Sequence, residues 1–192
     1  MRQLTIIGAG ALGSHLALLL RNIDAKTIVI DFDRVERKNT LSQFHTRMTL
    51  GQNKAQALAR SLHGLFGRRL NAVPHRLTQD NAEALIGGSA LVLDCLDNAL
   101  SRATVQRTVR DLGAPCIHGG LAADGQFGRA VWDEDFIIDS EPAEAAATCE
   151  DGEHLPFIAL VAATMAHSAQ SFLDAGRRQS FHILPNGAVE PL

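Results

Sequence analysis

Three glycines, Gly8, Gly10 and Gly13, stand at G-x-G-x-x-G spacing in "TIIGAGALGSHLALLL". Glycines at this spacing permit a tight turn and close backbone approach to a ligand, and a helix that starts there offers unpaired N–H groups to a phosphate. Farther on, "IVIDFDRVERKNTLSQF" ends an apolar run on Asp31, where a carboxylate can accept hydrogen bonds from ribose hydroxyls, with Asp33 two residues later. Together these residues point to a nucleotide and leave dinucleotide and mononucleotide both open.

The residues that follow bear on that choice. A dehydrogenase normally runs from its ribose-binding acid into an ordinary helix and carries a hydride-transfer site downstream. Here Asp31 is followed by Asp33, Val35, Asn39 and Gln43, then by Lys54 where a helix begins, then by Asp97 and Asn98 where "LVLDCLDN" ends. These are parts for a triphosphate. Lys54 can neutralise phosphate, and Asp97 can hold a magnesium ion, which takes hard oxygen ligands and keeps some of its waters.

The elements that must position these residues are legible from periodicity. "QLTII", the glycine turn and Leu12, Leu16, Leu19 and Leu20 at helical spacing make strand, turn and helix, and "KTIVID" completes a right-handed βαβ unit. Helix over "GQNKAQALARSLHGLF", strand over "LNAVPH", short helix over "NAEALIG", strand over "ALVLDCL", helix over "SRATVQRTVRDLG" and strand over "PCIHGG" continue the alternation. The expected fold is α/β: a Rossmann-like, doubly wound, mainly parallel sheet in which Asp31, Asp97 and the glycine loop meet at the C-terminal edge. Residues 1–192 read as one domain, with a nucleotide-binding core over 1–120 and a C-terminal strand, loop and helix extension over 121–192. In that extension "GQFGRAVW" alternates like a strand with one exposed face. A long acidic loop follows, then a buried helix over "LPFIALVAATMAHSAQSFLDAG", then a strand and turn in "SFHILPNGAVEPL".

In these linked motifs the sequence resembles the ThiF/MoeB/HesA family, adenylation-domain relatives of ubiquitin-activating enzymes. The family pattern is a Gly-rich loop, D-x-D-x-V-x-x-x-N-x-x-R-Q, G-x-x-K and D-x-x-D-N. It is met in order by "GAGALG", "DFDRVERKNTLSQ", "GQNK" and "DCLDN". The resemblance implies ATP and Mg2+ as cofactors, and a small ubiquitin-like or sulfur-carrier protein with a C-terminal Gly as partner, whose carboxylate is adenylated with release of pyrophosphate. It implies that Asp31 binds ribose, that the backbone near Gly10 and Ala11 and the Asn39 region cradle the nucleotide, that Lys54 contacts phosphates and that Asp97 coordinates magnesium. It also implies a homodimer. One position departs: Ser42 stands before Gln43 where the family has arginine, and a hydroxyl cannot replace a bidentate guanidinium. Arg37, Lys38 and Arg47 are the nearby candidates for the missing charge.

Cys149, in "AATCEDGEHLPF", lies where several family members carry the cysteine that takes the activated acyl group as a thioester or persulfide-linked intermediate. Glu150, Asp151 and Glu153 follow it and would raise its thiol pKa, with His154 as a possible offset. Cys95 and Cys116 read as inert core thiols. His118, in "CIHGG", reads as ending a strand on the ligand edge, more as a core or turn residue than a ligand.

Composition narrows the setting. The chain has 192 residues, formal net charge −3, 46% hydrophobic and 20% charged residues, and three cysteines without a C-x-x-C pair. These values suit one compact domain with a full core and indicate neither a zinc ribbon nor a disulfide framework. Scattered arginines and a slightly acidic balance argue against nucleic acid as the main partner. The apolar runs read as too short or too interrupted to span a bilayer, so the expected setting is cytoplasmic, with no membrane. Two other functions fit part of the pattern: an NAD(P)-dependent oxidoreductase, on the glycine loop and Asp31 alone, and a non-catalytic carrier-binding scaffold, on Ser42.

Overall fold

The computed structural model describes residues 2–122, 124–138, 152 and 154–192. Its sheet has eight strands: β1 (Gln3–Ile7), β2 (Lys26–Ile30), β3 (Asn71–Val73), β4 (Leu91–Asp94), β5 (Cys116–Leu121), β6 (Gly128–Trp132), β7 (Phe181–Ile183) and β8 (Val189–Pro191). The order across the sheet is β3-β2-β1-β4-β5-β6-β7-β8. The first five are parallel, and β6, β7 and β8 add antiparallel. The order reverses between β1 and β4, and in open α/β sheets the crevice beyond the strand ends at such a reversal is where ligands bind.

Among the described residues six α-helices accompany the sheet: α1 (Ala11–Leu19), α2 (Asn39–Ser42), α3 (Lys54–Phe66), α4 (Gln79–Ile86), α5 (Ala99–Leu112) and α6 (Leu155–Ala175). Side chains alternate across each strand, so the two sheet faces carry two cores. On one face Leu4, Ile6, Val29, Leu93 and Ile117 pack with Leu16 of α1, Leu58 and Leu62 of α3, and Val161 and Met165 of α6. On the other, Ile7, Ile30 and Val92 pack with Ile86 of α4 and with Val105 and Val109 of α5. Asn53 caps α3 by accepting from the Gln56 N–H at 3.1 Å, and Asn98 caps α5 by accepting from the Ser101 N–H at 2.9 Å. Both helices stop on left-handed glycines, Gly67 and Gly113.

The structure differs from the sequence reading in β6, at His118 and in α6. β6 is not a strand with an exposed face: it lies between β5 and β7, and only Arg129 among its residues is not buried. His118 does not end a strand but sits in mid-β5, paired in register with Asp94 of β4. α6 runs 21 residues and is apolar enough, by length and composition, to cross a membrane; half of its apolar window is instead buried within the fold. α4 also begins earlier than expected, on a reciprocal cap between Thr78 and Asn81.

Candidate functional site

The glycine loop leaves β1 at the reversal point. Gly8 has φ +93°, a conformation side chains rarely adopt, and its N–H donates to the Ile30 carbonyl at 2.8 Å. A Cβ on Gly8 would lie 3.0 Å from the Cys95 carbonyl oxygen, so the turn after β4 abuts the loop. A Cβ on Gly13 would lie 2.9 Å from the Gly8 carbonyl carbon and nearer still to its oxygen; this glycine lets α1 pack against its own loop. Gly10 is different, because a Cβ there would meet nothing within 4 Å. It caps α1 without a side-chain bond, and the first N–H groups of that helix have no intrahelical partner. Space and donors therefore coincide at Gly10 and Ala11.

Asp31 faces this loop and is buried. Its Oδ2 accepts from the Ala9 N–H at 2.6 Å and its Oδ1 from the Asp33 N–H at 2.8 Å. Each oxygen retains a second lone pair for a hydroxyl, and the carboxylate already holds the loop in shape. Burial pushes its pKa up, against the pull of those two N–H groups and of Lys54.

The segment after Asp31 is fastened to the start of α3. Val35 N–H donates to Gln52 O at 2.8 Å, Gly51 N–H to Val35 O at 2.9 Å and Lys54 N–H to Asp33 O at 2.8 Å. Asn53 adds two bonds through Nδ2, to Asp31 O at 2.7 Å and Asp33 O at 3.1 Å. The result sets Lys54 Nζ 3.4 Å from Asp33 Oδ2. Asp33 is half exposed in this pair, and such ion pairs are worth about 0–1 kcal/mol, little enough for a phosphate to displace.

The "DCLDN" turn leaves β4 on the other side of the loop. Asp94 is fully buried and its Oδ1 accepts from the Leu96 N–H at 3.0 Å; Cys95 N–H donates to Ile7 O at 2.9 Å. Arg102, buried on α5, donates through Nε to Leu96 O at 2.8 Å and through Nη2 to Gly119 O at 2.7 Å. Asp97 follows with an exposed side chain, and Asn98 is engaged as the α5 cap. Among the described residues no group of three or more His, Cys, Asp or Glu could hold a metal. A single carboxylate completed by phosphate oxygens and water is, however, a common magnesium arrangement, and Asp97 fits it.

Residues 39–45 close the site against α1. Asn39 Oδ1 accepts from the Glu36 N–H at 2.8 Å, and Ser14 Oγ accepts from the Phe44 N–H at 2.9 Å. His45 Nε2 lies 2.8 Å from the Ala9 carbonyl, which can only accept, so Nε2 donates. Burial lowers the His45 pKa, leaving a neutral ring whose buried Nδ1 has no partner among the described residues, and there the buried Oε1 of Gln43 has none either. Ser42 is wholly enclosed. Arg37 and Arg47 are exposed, and Lys38 pairs with Glu36 at 3.6 Å.

The structure thus gathers the glycine loop, Asp31, Asp33, Lys54 and the Asp97 turn at one edge, with Asn39 and Gln43 in the segment behind. Cys149 lies outside the described residues. Cys95 and Cys116 are free thiols whose pKa burial raises, as expected of core cysteines. Asn53, Asp94, His45 and Arg102 were not singled out by the sequence pattern. Asn53 carries a cap signal, Asp94 is the first acid of D-x-x-D-N, and Arg102 interrupts the apolar face that continues through Val105 and Val109. Nothing local marks His45.

Known proteins resemble this chain in sequence or in fold. The chain is 30% identical over 178 residues to the adenylyltransferase and sulfurtransferase UBA4 of Debaryomyces hansenii, covering 87% of this chain and 40% of that protein. It is 30% identical over 122 residues to the SAMP-activating enzyme E1 of Haloferax volcanii, covering 62% of this chain and 45% of that protein. The chain therefore spans about two fifths of the length of the curated relatives it matches. E. coli MccB, solved with ATP, superposes with a TM-score of 0.79 at 14% identity, over all of this chain and 62% of that one. E. coli tRNA N6-threonylcarbamoyladenosine dehydratase, TcdA, superposes at 0.68 with 21% identity, over 92% and 88%. These two likenesses establish the fold. The ThiF family model matches residues 2–182, and the chain belongs to the ThiF family.

Proposed function

We propose that this chain is an adenylyltransferase that uses magnesium-ATP to activate the C-terminal carboxylate of a small ubiquitin-like or sulfur-carrier protein. The observation that carries the proposal is the juxtaposition of an open glycine loop at Gly10 with Lys54, held beside it by the bonds between residues 31–35 and 51–54. The adenylyltransferase relatives supply the reaction class.

In this reading Asp31 accepts from ribose hydroxyls, the α1 N-terminus and Lys54 hold phosphate oxygens, and Asp97 coordinates the metal. Asp33, Asn39, Ser42, Gln43 and Asn98 shape the walls. Bound magnesium would neutralise phosphate charge. The carrier carboxylate attacks the α-phosphorus and the bond to the pyrophosphate oxygen breaks. No general base is required, because a carboxylate is ionised at neutral pH. Catalysis is then positioning and charge stabilisation by fixed groups. Cys149 is the proposed acceptor in any later acyl transfer, and the working form is a cytoplasmic homodimer.

The test is ATP–pyrophosphate exchange. It should require magnesium and a β-grasp carrier ending in Gly, and it should fall about a hundredfold or more in Lys54→Ala, the loss typical of removing one transition-state donor. Carrier binding without any exchange would instead support the non-catalytic scaffold.

A further inference from the structure

His118 is a buried imidazole enclosed by charge. Its Nδ1 lies 2.7 Å from Asp94 Oδ2 and its Nε2 lies 3.2 Å from Asp133 Oδ1. Carboxylate oxygens accept, so a ring placed between two of them donates from both nitrogens and is an imidazolium. Its face stacks on Phe136, with centroids 3.9 Å apart and planes 5° from parallel. Burial alone would lower its pKa; Cys116 beside it and bonds to Asp133 and Asp94 outweigh burial and hold it up at about 11. Burial works against Asp133 too, yet bonds from His118, Arg110 and Gln106 bring it down to about 2. Arg110 Nε meets its other oxygen at 2.8 Å.

This row of charges ends on the candidate site. Asp94 gives one oxygen to His118 and the other to the Leu96 N–H, the bond that turns the chain as it leaves β4. The next residue is Asp97. A buried pair is a poor way to gain stability, since an apolar pair of equal volume serves as well or better, whereas it does fix a conformation when one end is committed to backbone. Removing the imidazolium would leave Asp94 buried without a counter-charge. The carboxylate would lose the bond that fixes its Oδ2, and with it the orientation in which Oδ1 meets the Leu96 N–H.

We propose that His118 is a positioning residue: clamped between Asp94 and Asp133, it holds the β4 exit turn in the shape that presents Asp97 to a nucleotide-bound metal ion. The role rests on the adenylation reading of the site. His118 touches neither metal nor nucleotide and acts through Asp94 alone.

The experiment uses the full chain, with Mn2+ as a paramagnetic probe and a non-hydrolysable ATP analogue. In His118→Asn, Mn2+ affinity in the presence of the analogue should fall about tenfold or more, as when the group supporting a metal ligand is removed, while metal-free analogue affinity stays the same. In the wild type, nitrogen-15 spectra at pH 8 should show both His118 ring nitrogens protonated. Should His118→Asn not fold, Asp133→Asn removes one end of the clamp and should weaken Mn2+ severalfold. A neutral ring at pH 8, or Mn2+ affinity unchanged in whichever variant folds, overturns the inference and leaves the adenylation reading standing. Wild-type protein that binds no Mn2+ with the analogue overturns both.

Discussion

The glycine loop offers a test that separates packing from ligand binding, because Gly10 and Gly13 share a motif but not a reason. At Gly13 a methyl would lie 2.9 Å from the Gly8 carbonyl carbon and within the contact radius of its oxygen, where ordinary contacts begin near 3.4 Å. The obstacle is backbone, so α1 or the loop must shift, and such overpacking costs about 1–3 kcal/mol. In a chain of this length each kcal/mol moves the melting temperature by about 2–4 °C, so Gly13→Ala should melt roughly 2–12 °C lower. At Gly10 a methyl meets nothing within 4 Å, and φ is −79°, outside the left-handed region that favours glycine. Alanine is a poorer helix cap than glycine by about half a kcal/mol, and its stiffer unfolded chain returns a similar amount, so stability should change by less than about 1 kcal/mol. The same methyl would stand where a phosphate approaches. ATP affinity should therefore fall about tenfold or more in Gly10→Ala, the equivalent of about 1.4 kcal/mol. Thermal unfolding and titration calorimetry on both variants check this. Gly10→Ala that binds ATP as the wild type does would show that the loop packs a strand on a helix and never meets a phosphate.

Two further outcomes follow from buried polar groups. Asn53→Ala removes the α3 cap and the side-chain donor to the Asp31 carbonyl, while the Asp33 carbonyl keeps the Lys54 N–H, so unfolding in urea should show a loss of about 2–4 kcal/mol. For His118, the folded value near 11 exceeds the ordinary 6.5, so its stabilisation is complete below about pH 6.5 and is lost as pH rises towards 11. Asp133, brought down to about 2 from 3.8, contributes above about pH 4 and is lost as pH falls towards 2. Wild-type stability in urea should therefore decline between pH 7 and 10, by up to about 1.4 kcal/mol per unit, and His118→Asn should flatten that limb; a wild-type curve rising over this range contradicts the imidazolium.

What could be read in advance depended on range. The βαβ start, the strand alternation and the convergence of Asp31, Lys54 and Asp97 follow from periodicity and from short motifs, whose geometry is set by neighbours in sequence. The burial of β6 is not legible locally because it comes from α6, far along the chain: Phe157 and Val161 lie against Gly128, and Phe172 lies against Trp132. His118 was misplaced for the same reason. One histidine in "CIHGG" says nothing of two carboxylates that reach it from 24 and 15 residues away. Asp31 stands out in the sequence as a candidate ribose ligand, whereas its tie to the glycine loop through the Ala9 N–H is identified only by the fold.

Ser42 is where the two kinds of information meet. From sequence it is a missing positive charge beside a triphosphate. In the fold it is fully enclosed, in a segment that fastens to α1 through the Phe44 N–H and to the glycine loop through His45. A guanidinium buried at that position would carry a desolvation penalty of several kcal/mol unless a carboxylate faced it. The segment lies behind the loop, with the His45 ring against the Ala9 carbonyl. On the proposed adenylation reading, positive charge for a nucleotide comes from the front, from Lys54 and the N-terminus of α1. The Lys54 ammonium is held in waiting by Asp33 in a pair weak enough to open. On that reading a serine in place of the arginine puts more of the phosphate binding on a single lysine, so Lys54→Ala should cost more than the removal of any other one side chain.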